Sequence, residues 1–131
     1  MIVGIGLDTV AINRFVPWAQ YPHKKLQRIF SAPEIAYCAS IPAKMPERLA
    51  ARFAAREAFF KAFSALAPTR ATPFLTVCKA IELQANAHGA PLLNINWHML
   101  EMPEAVYANL HVHISITHTA TTATVVVIVE K

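Results

Sequence analysis

Acidic residues are scarce: eight Asp and Glu stand against twelve Lys and Arg, for a net charge of +4 over 131 residues. The excess is mild and scattered, with no basic run, no aromatic ladder and no nucleic-acid motif. That argues against DNA or RNA and leaves an acidic protein or a phosphorylated ligand as the partner. Charge of either sign is also sparse, 15% of residues against 55% hydrophobic, which is not the composition of a disordered chain. Only two cysteines occur, Cys38 and Cys78, without CxxC spacing. They read as free, packed thiols in a reducing, cytoplasmic setting in preference to a disulfide. No window reaches about 18 uninterrupted apolar residues, so no membrane span is expected. The opening MIVGIGLDTV has no basic stretch and meets an acid at Asp8, so it does not read as a secretory signal. No repeat or low-complexity segment is visible.

What remains is enough for one domain, residues 1–131, with a real core. The apolar excess is high for a lone small domain and suggests that other subunits cover part of its surface. The strongest local signal is RLAARFAAREAFFKAFS, residues 48–64, alanine-rich and free of Gly and Pro. At about 100° per residue, Leu49, Phe53, Phe59, Phe60, Phe63 and Leu66 cover one broad arc and alanines fill most of the rest, predicting a helix buried on several sides. Arg52 and Arg56 fall inside the apolar arc, where a charge must find a partner, an ion or a ligand. Glu57 and Lys61 are spaced for an i, i+4 pair.

Around this helix, residues 2–7 read as a central strand with close backbone neighbours at Gly4 and Gly6. Asp8 ends it, either capping a helix from Thr9 or offering a carboxylate at a strand end. Val10, Ile12, Phe15, Val16 and Ala19 suggest a short amphipathic helix broken near Pro17, with Arg14 pointing away from its apolar side. Lys24, Lys25 and Arg28 alternate with Leu26, Ile29 and Phe30 at helical spacing, giving one packed face and one positive face. That positive face is either solvated or a docking surface for an acidic partner. Ser31, Pro33 and Glu34 form a helix start with a capping box, and the helix should reach about Ser40. Residues 41–46 are expected to be a loop, 76–84 a strand entering a turn at Asn86, His88 and Gly89, and 92–95 its return. Residues 97–110 read as a helix despite Pro103. In the closing stretch, Val112, Ile114 and Ile116 face one way and His111, His113, Ser115 and Thr117 the other. Residues 121–129 form a second central strand paired across a turn near Thr119.

Three of these pieces, GIGLDTVAINRF, RFAAREAFFKAF and HISITHTATTATVVVIV, in this order and spacing, resemble the holo-acyl-carrier-protein synthases of the 4'-phosphopantetheinyl transferase superfamily. The resemblance implies an α+β fold, an antiparallel sheet packed against the long helix, assembled as a homotrimer with active sites between subunits. It implies transfer of the phosphopantetheine arm of coenzyme A to a serine of apo acyl carrier protein, releasing adenosine 3',5'-bisphosphate, in fatty acid biosynthesis and with Mg2+. On the matching positions, Asp8 and Glu57 would hold the metal through oxygen ligands. Lys61 would lie beside the coenzyme A phosphates, and Arg52, His113, Gly89 and Pro91 near the nucleotide. Arg14, Lys24, Lys25 and Arg28 would face the acidic carrier. Asp8, Glu57 and Lys61 are the expected catalytic set, with Glu57 taking the serine proton directly or through a metal-bound water.

The chain departs from the family pattern at three places. Arg56 replaces a usual lysine, Ser64, Ala65 and Leu66 continue the helix where a glycine-rich turn is usual, and Gly89, Ala90, Pro91 stands for Gly-Lys-Pro. Two alternatives are open: a small hydrolase with zinc on His111, His113 and either Asp8 or His118, and a catalytically silent module that binds the carrier.

Overall fold

The computed structural model describes residues 1–131. Strand β1 (Ile2–Ala11) is followed by two 3-10 turns, Ile12–Phe15 and Pro17–Gln20, and then by helices α1 (His23–Leu26) and α2 (Ala32–Ala39). A 3-10 turn, Pro42–Lys44, leads into the long helix α3 (Met45–Leu66), and α4 (Phe74–Ala80) follows it. The hairpin β2 (Ile81–Ala85) and β3 (Pro91–Ile95), the one-turn helix α5 (Glu104–Tyr107) and strands β4 (His111–His118) and β5 (Thr122–Glu130) complete the chain. The strands form an antiparallel sheet ordered β1-β5-β4, with the β2-β3 hairpin separate.

Helix α3 lies on one face of the three-stranded sheet. Along β5, Ala123, Val125, Val127 and Val129 are buried beneath it, while Thr124, Val126 and Ile128 on the other face are only half-buried. Leu49, Phe53, Phe59 and Phe63 of α3 are buried with them, each stabilising the fold by roughly 1.5–3 kcal/mol relative to exposure. The two glycines of β1 set the approach of helix to strand. A side chain at Gly6 would collide with the carbonyl of Ala58, and one at Gly4 with that of Ala62. Only glycine against alanine lets these backbones touch.

The buried charge of α3 finds its partner on α2. Arg56, fully buried, donates to Glu34 through both Nη1 (2.9 Å) and Nη2 (2.5 Å). It also donates to the carbonyls of Ile29 and Cys78 from Nε and of Ile81 from Nη2. Glu34 in turn accepts from the amides of Ser31 and Leu83, and its bond from Ser31 completes the predicted capping box. Burial pushes the Glu34 carboxyl up, and the hydrogen bond and charge of Arg56 more than offset it, leaving Glu34 below the usual carboxylate range. A lysine has three donors on a point and could not fill this fork. Cys38 and Cys78 are free and buried, and burial pushes their thiols up to about 11 and about 12.

Several predicted boundaries move. Asp8 does not end the first strand or cap a helix: β1 continues to Ala11 because Asp8 to Ala11 pair in register with Val125 to Thr122. The helix expected after it is two 3-10 turns, the second opening at Pro17. Residues 74–80, expected to be strand in part, are helical because Phe74, Val77 and Cys78 turn to the core at i, i+3, i+4 spacing. The loop of residues 41–46 holds a 3-10 turn, and α3 starts at Met45 with Pro46 in its first turn. Residues 97–110 are not one helix: the chain turns through Glu101, whose φ is 56°, and Pro103 precedes the single turn of α5. The predicted continuation of the long helix to Leu66 is present.

Candidate active site

Two residues of strand advance about 6.8 Å and four residues of helix about 6 Å, so β1 and the antiparallel α3 stay nearly in step. Gly4 meets Ala62 and Gly6 meets Ala58; the next inward position of β1 is Asp8. It arrives beside the flank of α3 that carries Glu57 and Lys61, one helical turn apart. Lys61 Nζ donates to the Leu7 carbonyl (2.7 Å) and lies 3.3 Å from Asp8 Oδ1. The other carboxylate oxygen, Asp8 Oδ2, is buried without any hydrogen-bond partner.

Lys61 therefore pairs with Asp8, and the expected intrahelical pair with Glu57 does not form. The Glu57 carboxyl is pushed up, first by burial and then by the Asp8 charge, with Lys61 and Arg14 pulling the other way. Two carboxylates that repel each other, one with an unpartnered buried oxygen, supply oxygen donors that fit a hard divalent cation.

Arg14 completes this corner. Its guanidinium lies 4.8 Å from the ring centre of Phe53, 5.5 Å from Phe15 and 5.9 Å from Trp18. It spans the aromatic cluster and does not point away from it as the sequence suggested. Lys24, Lys25 and Arg28 gather on a separate basin of about 810 Å³ lined by no hydrophobic residue, and none of them makes an ion pair.

A second cavity of about 640 Å³ brings together Arg52, Gly89 and Pro91 and adds Tyr37, Arg48 and His118. The guanidinium groups of Arg48 and Arg52 both lie over the Tyr37 ring, at 4.1 and 4.6 Å. Arg52 Nε is buried without a hydrogen-bond partner, its nearest acid being Glu34 at 3.9 Å. Gly89 has φ 82° at the hairpin turn, a conformation suited to glycine.

His113 is not in this cavity. It projects from the opposite face of β4, with Nε2 2.9 Å from Glu130. His118 takes the place expected of it, bonded to Glu47 at 3.1 Å. Strand parity carried that signal, since His118 shares the face of Val112, Ile114 and Ile116. The same parity separates the zinc ligands considered above: His111 and His113 lie on the outer face and Asp8 on the inner. No three His, Cys, Asp or Glu residues come together to hold a metal.

The family model of the 4'-phosphopantetheinyl transferase superfamily matches residues 4–124. Comparison with curated protein sequences gives no match. Among solved structures, the acyl carrier protein synthase of Mycobacterium tuberculosis is 28% identical, covering 99% of this chain and 98% of its own, with a TM-score of 0.71. The holo-acyl-carrier-protein synthase of Neisseria meningitidis is 27% identical over 100% of both chains, TM-score 0.78. A Chronobacterium ammoniagenes synthase in complex with CoA is 25% identical over 97% and 96%, TM-score 0.79. With its three-stranded sheet, its long buried helix and the Asp8, Glu57 and Lys61 corner that they build, the chain belongs to the 4'-phosphopantetheinyl transferase superfamily.

Proposed function

We propose that this protein is a holo-acyl-carrier-protein synthase, moving 4'-phosphopantetheine from coenzyme A to a serine of an apo acyl carrier protein in fatty acid biosynthesis. The observation that carries the proposal is the Asp8 carboxylate, tied by one oxygen to Lys61 and left unpartnered at the other. It stands against Glu57 in a chain of this superfamily.

Asp8 and Glu57 would hold Mg2+, which supplies positive charge to the diphosphate of coenzyme A. The Lys61 ammonium, half-exposed beside Asp8, neutralises phosphate oxygens as the bridging bond breaks. Glu57 accepts the proton of the carrier serine. The serine oxygen bonds to the phosphorus bearing the pantetheine, and the phosphorus–oxygen bond to the nucleotide half opens, releasing adenosine 3',5'-bisphosphate. The cavity of Arg48, Arg52, His118, Gly89 and Pro91 holds the nucleotide end; its lining also includes Glu34, Glu47 and Glu82, and the support for that assignment is its concave shape with two guanidinium groups set over Tyr37, one of them with an unpartnered Nε.

Arg14, Lys24, Lys25 and Arg28 face the acidic carrier, whose charge would speed encounter. The outer sheet face carries Ile5 and Leu7, each more than half exposed, beside the half-buried Val126 and Ile128. A homotrimer built on this face accounts for the apolar excess of the composition. No helix is long and apolar enough to cross a membrane, and the free, buried thiols suit the reducing cytoplasm.

The deciding experiment incubates the protein with coenzyme A, Mg2+ and an apo carrier protein and reads the intact mass of the carrier. A gain of the phosphopantetheine mass is expected. A carrier that is bound but unmodified under saturating substrate would reject the enzyme in favour of a silent binding module.

A further inference from the structure

The proposed docking residues Lys24, Lys25 and Arg28 come from one short segment around α1, yet the basin they line has a fourth cation from elsewhere. Lys79, on α4, is exposed between the buried Cys78 and Ala80 and lines the same basin, whose remaining lining is Pro22 and Gln27. No acid takes part, and none of the four cations is paired with a carboxylate. Four uncompensated charges on one concavity repel one another, and an anionic partner relieves that repulsion.

The juxtaposition of the two elements is built into the core. Arg56 Nε donates both to the carbonyl of Ile29, next to Arg28, and to the carbonyl of Cys78, next to Lys79, at 2.8 and 3.1 Å. One buried guanidinium thus clamps the two walls that present the charges. Between those walls the basin continues into a cleft of about 260 Å³, with Gln27 and Lys79 on its rim. Ile29, Phe30, Ile81 and Met99 supply its apolar lining, and Met99 is 42% exposed. The cleft is large enough for one apolar side chain.

Resting on the carrier-protein reading above, we infer that the docking surface extends past α1 onto α4. Lys79 is a fifth carrier-binding cation, after Arg14, Lys24, Lys25 and Arg28, and the adjoining cleft receives an apolar side chain from an acidic helix of the carrier that lies across the basin. An acidic helix with one apolar anchor matches both parts: its carboxylates meet four cations, and its anchor leaves water beside Met99. The sequence did not single out Lys79: residues 76–84 read as a strand running into a turn.

The test measures binding of a labelled apo carrier protein by fluorescence anisotropy, alongside steady-state transfer, for the wild type, Lys79→Ala, Lys79→Glu and Met99→Asp. Lys79→Ala should raise both Kd and KM for the carrier about two- to five-fold. Lys79→Glu and Met99→Asp should each raise them about ten-fold or more, by setting a like charge against the partner. The KM for coenzyme A, kcat at saturating carrier and the melting temperature should not change. For Lys79→Ala the fall of log kcat/KM with log salt should be shallower than in the wild type. A carrier Kd unchanged by Lys79→Glu overturns the inference, as does a wild type that does not bind the carrier. Binding weakened by Lys79→Glu in a wild type that never transfers the arm sinks the enzyme reading and leaves the docking surface standing.

Discussion

Replacing Arg56 by methionine would test how the site is held. Methionine keeps much of the buried volume and removes every donor. Glu34, 2% exposed, would keep the amides of Ser31 and Leu83 and the more distant Arg52, and the carbonyls of Ile29, Cys78 and Ile81 would lose their side-chain donor. Breaking a buried ion pair from one side costs about 3–5 kcal/mol, a large part of the roughly 5–15 kcal/mol that holds a domain folded. At about 3 °C per kcal/mol for a chain of this size, the melting temperature should fall by roughly 10–15 °C. The pH dependence identifies the cause. In the wild type the Glu34 carboxyl lies below its ordinary 4.5, so its stabilisation is present above that value and lost as pH falls through the lowered pKa. In Arg56→Met the hydrogen bond and charge that offset burial are gone, so Glu34 rises relative to the wild type and its charge costs stability that acidification restores. The gap between the two proteins should therefore narrow between pH 7 and pH 4. Adding Glu34→Gln to Arg56→Met should recover part of the loss at pH 7. Melts by circular dichroism at one fixed protein concentration measure all of this. A fall of less than about 3 °C, or a gap that widens with acid, refutes the account of Arg56 as a structural clamp.

Glu57→Gln should abolish transfer and leave the melting temperature at pH 7 equal or higher. The wild-type carboxyl has a raised pKa, so its charge costs stability above that value, and the gain of the variant should vanish below about pH 4.5. Gly6→Ala drives a methyl into the Ala58 carbonyl; stability should drop by about 1–3 kcal/mol, and transfer should fall too as α3 and its Lys61 move away from Asp8. Chemical denaturation and the carrier mass assay read the two losses. Leu7→Glu, on the outer sheet face, should convert a trimer to a monomer by light scattering, and a wild type already monomeric at micromolar concentration contradicts that assembly.

The helical period of residues 48–64, the Ser31 cap, the alternation of residues 111–118 and the apolar strand after it are set by neighbours within a few positions, and all were legible. So was the strand with close backbone neighbours at Gly4 and Gly6, although it lies at the edge of the sheet and not at its centre as expected. The resemblance put Lys61 beside the coenzyme A phosphates, and the structure sets its ammonium 3.3 Å from Asp8. Where prediction and structure part, the cause lies far away in sequence. Asp8 looks like a strand end until β5 supplies partners for the residues beyond it. Lys61 looks paired with Glu57 until the Leu7 carbonyl and Asp8 compete for its ammonium. His113 and His118 differ only in strand parity, and the cavity formed by α2, α3 and the β2-β3 hairpin decides which of them enters it.

The sequence by itself determined the helix, the alternating strands and the identity of the acids and cations, because periodicity and capping are local. Only the tertiary structure decided which charges are consumed by the core and which are left for a ligand. Arg56 and Glu34 saturate each other, whereas one oxygen of Asp8 and Nε of Arg52 remain without partners. That division depends on desolvation and on partners dozens of residues away, and it is settled when α3 packs down onto its two glycines.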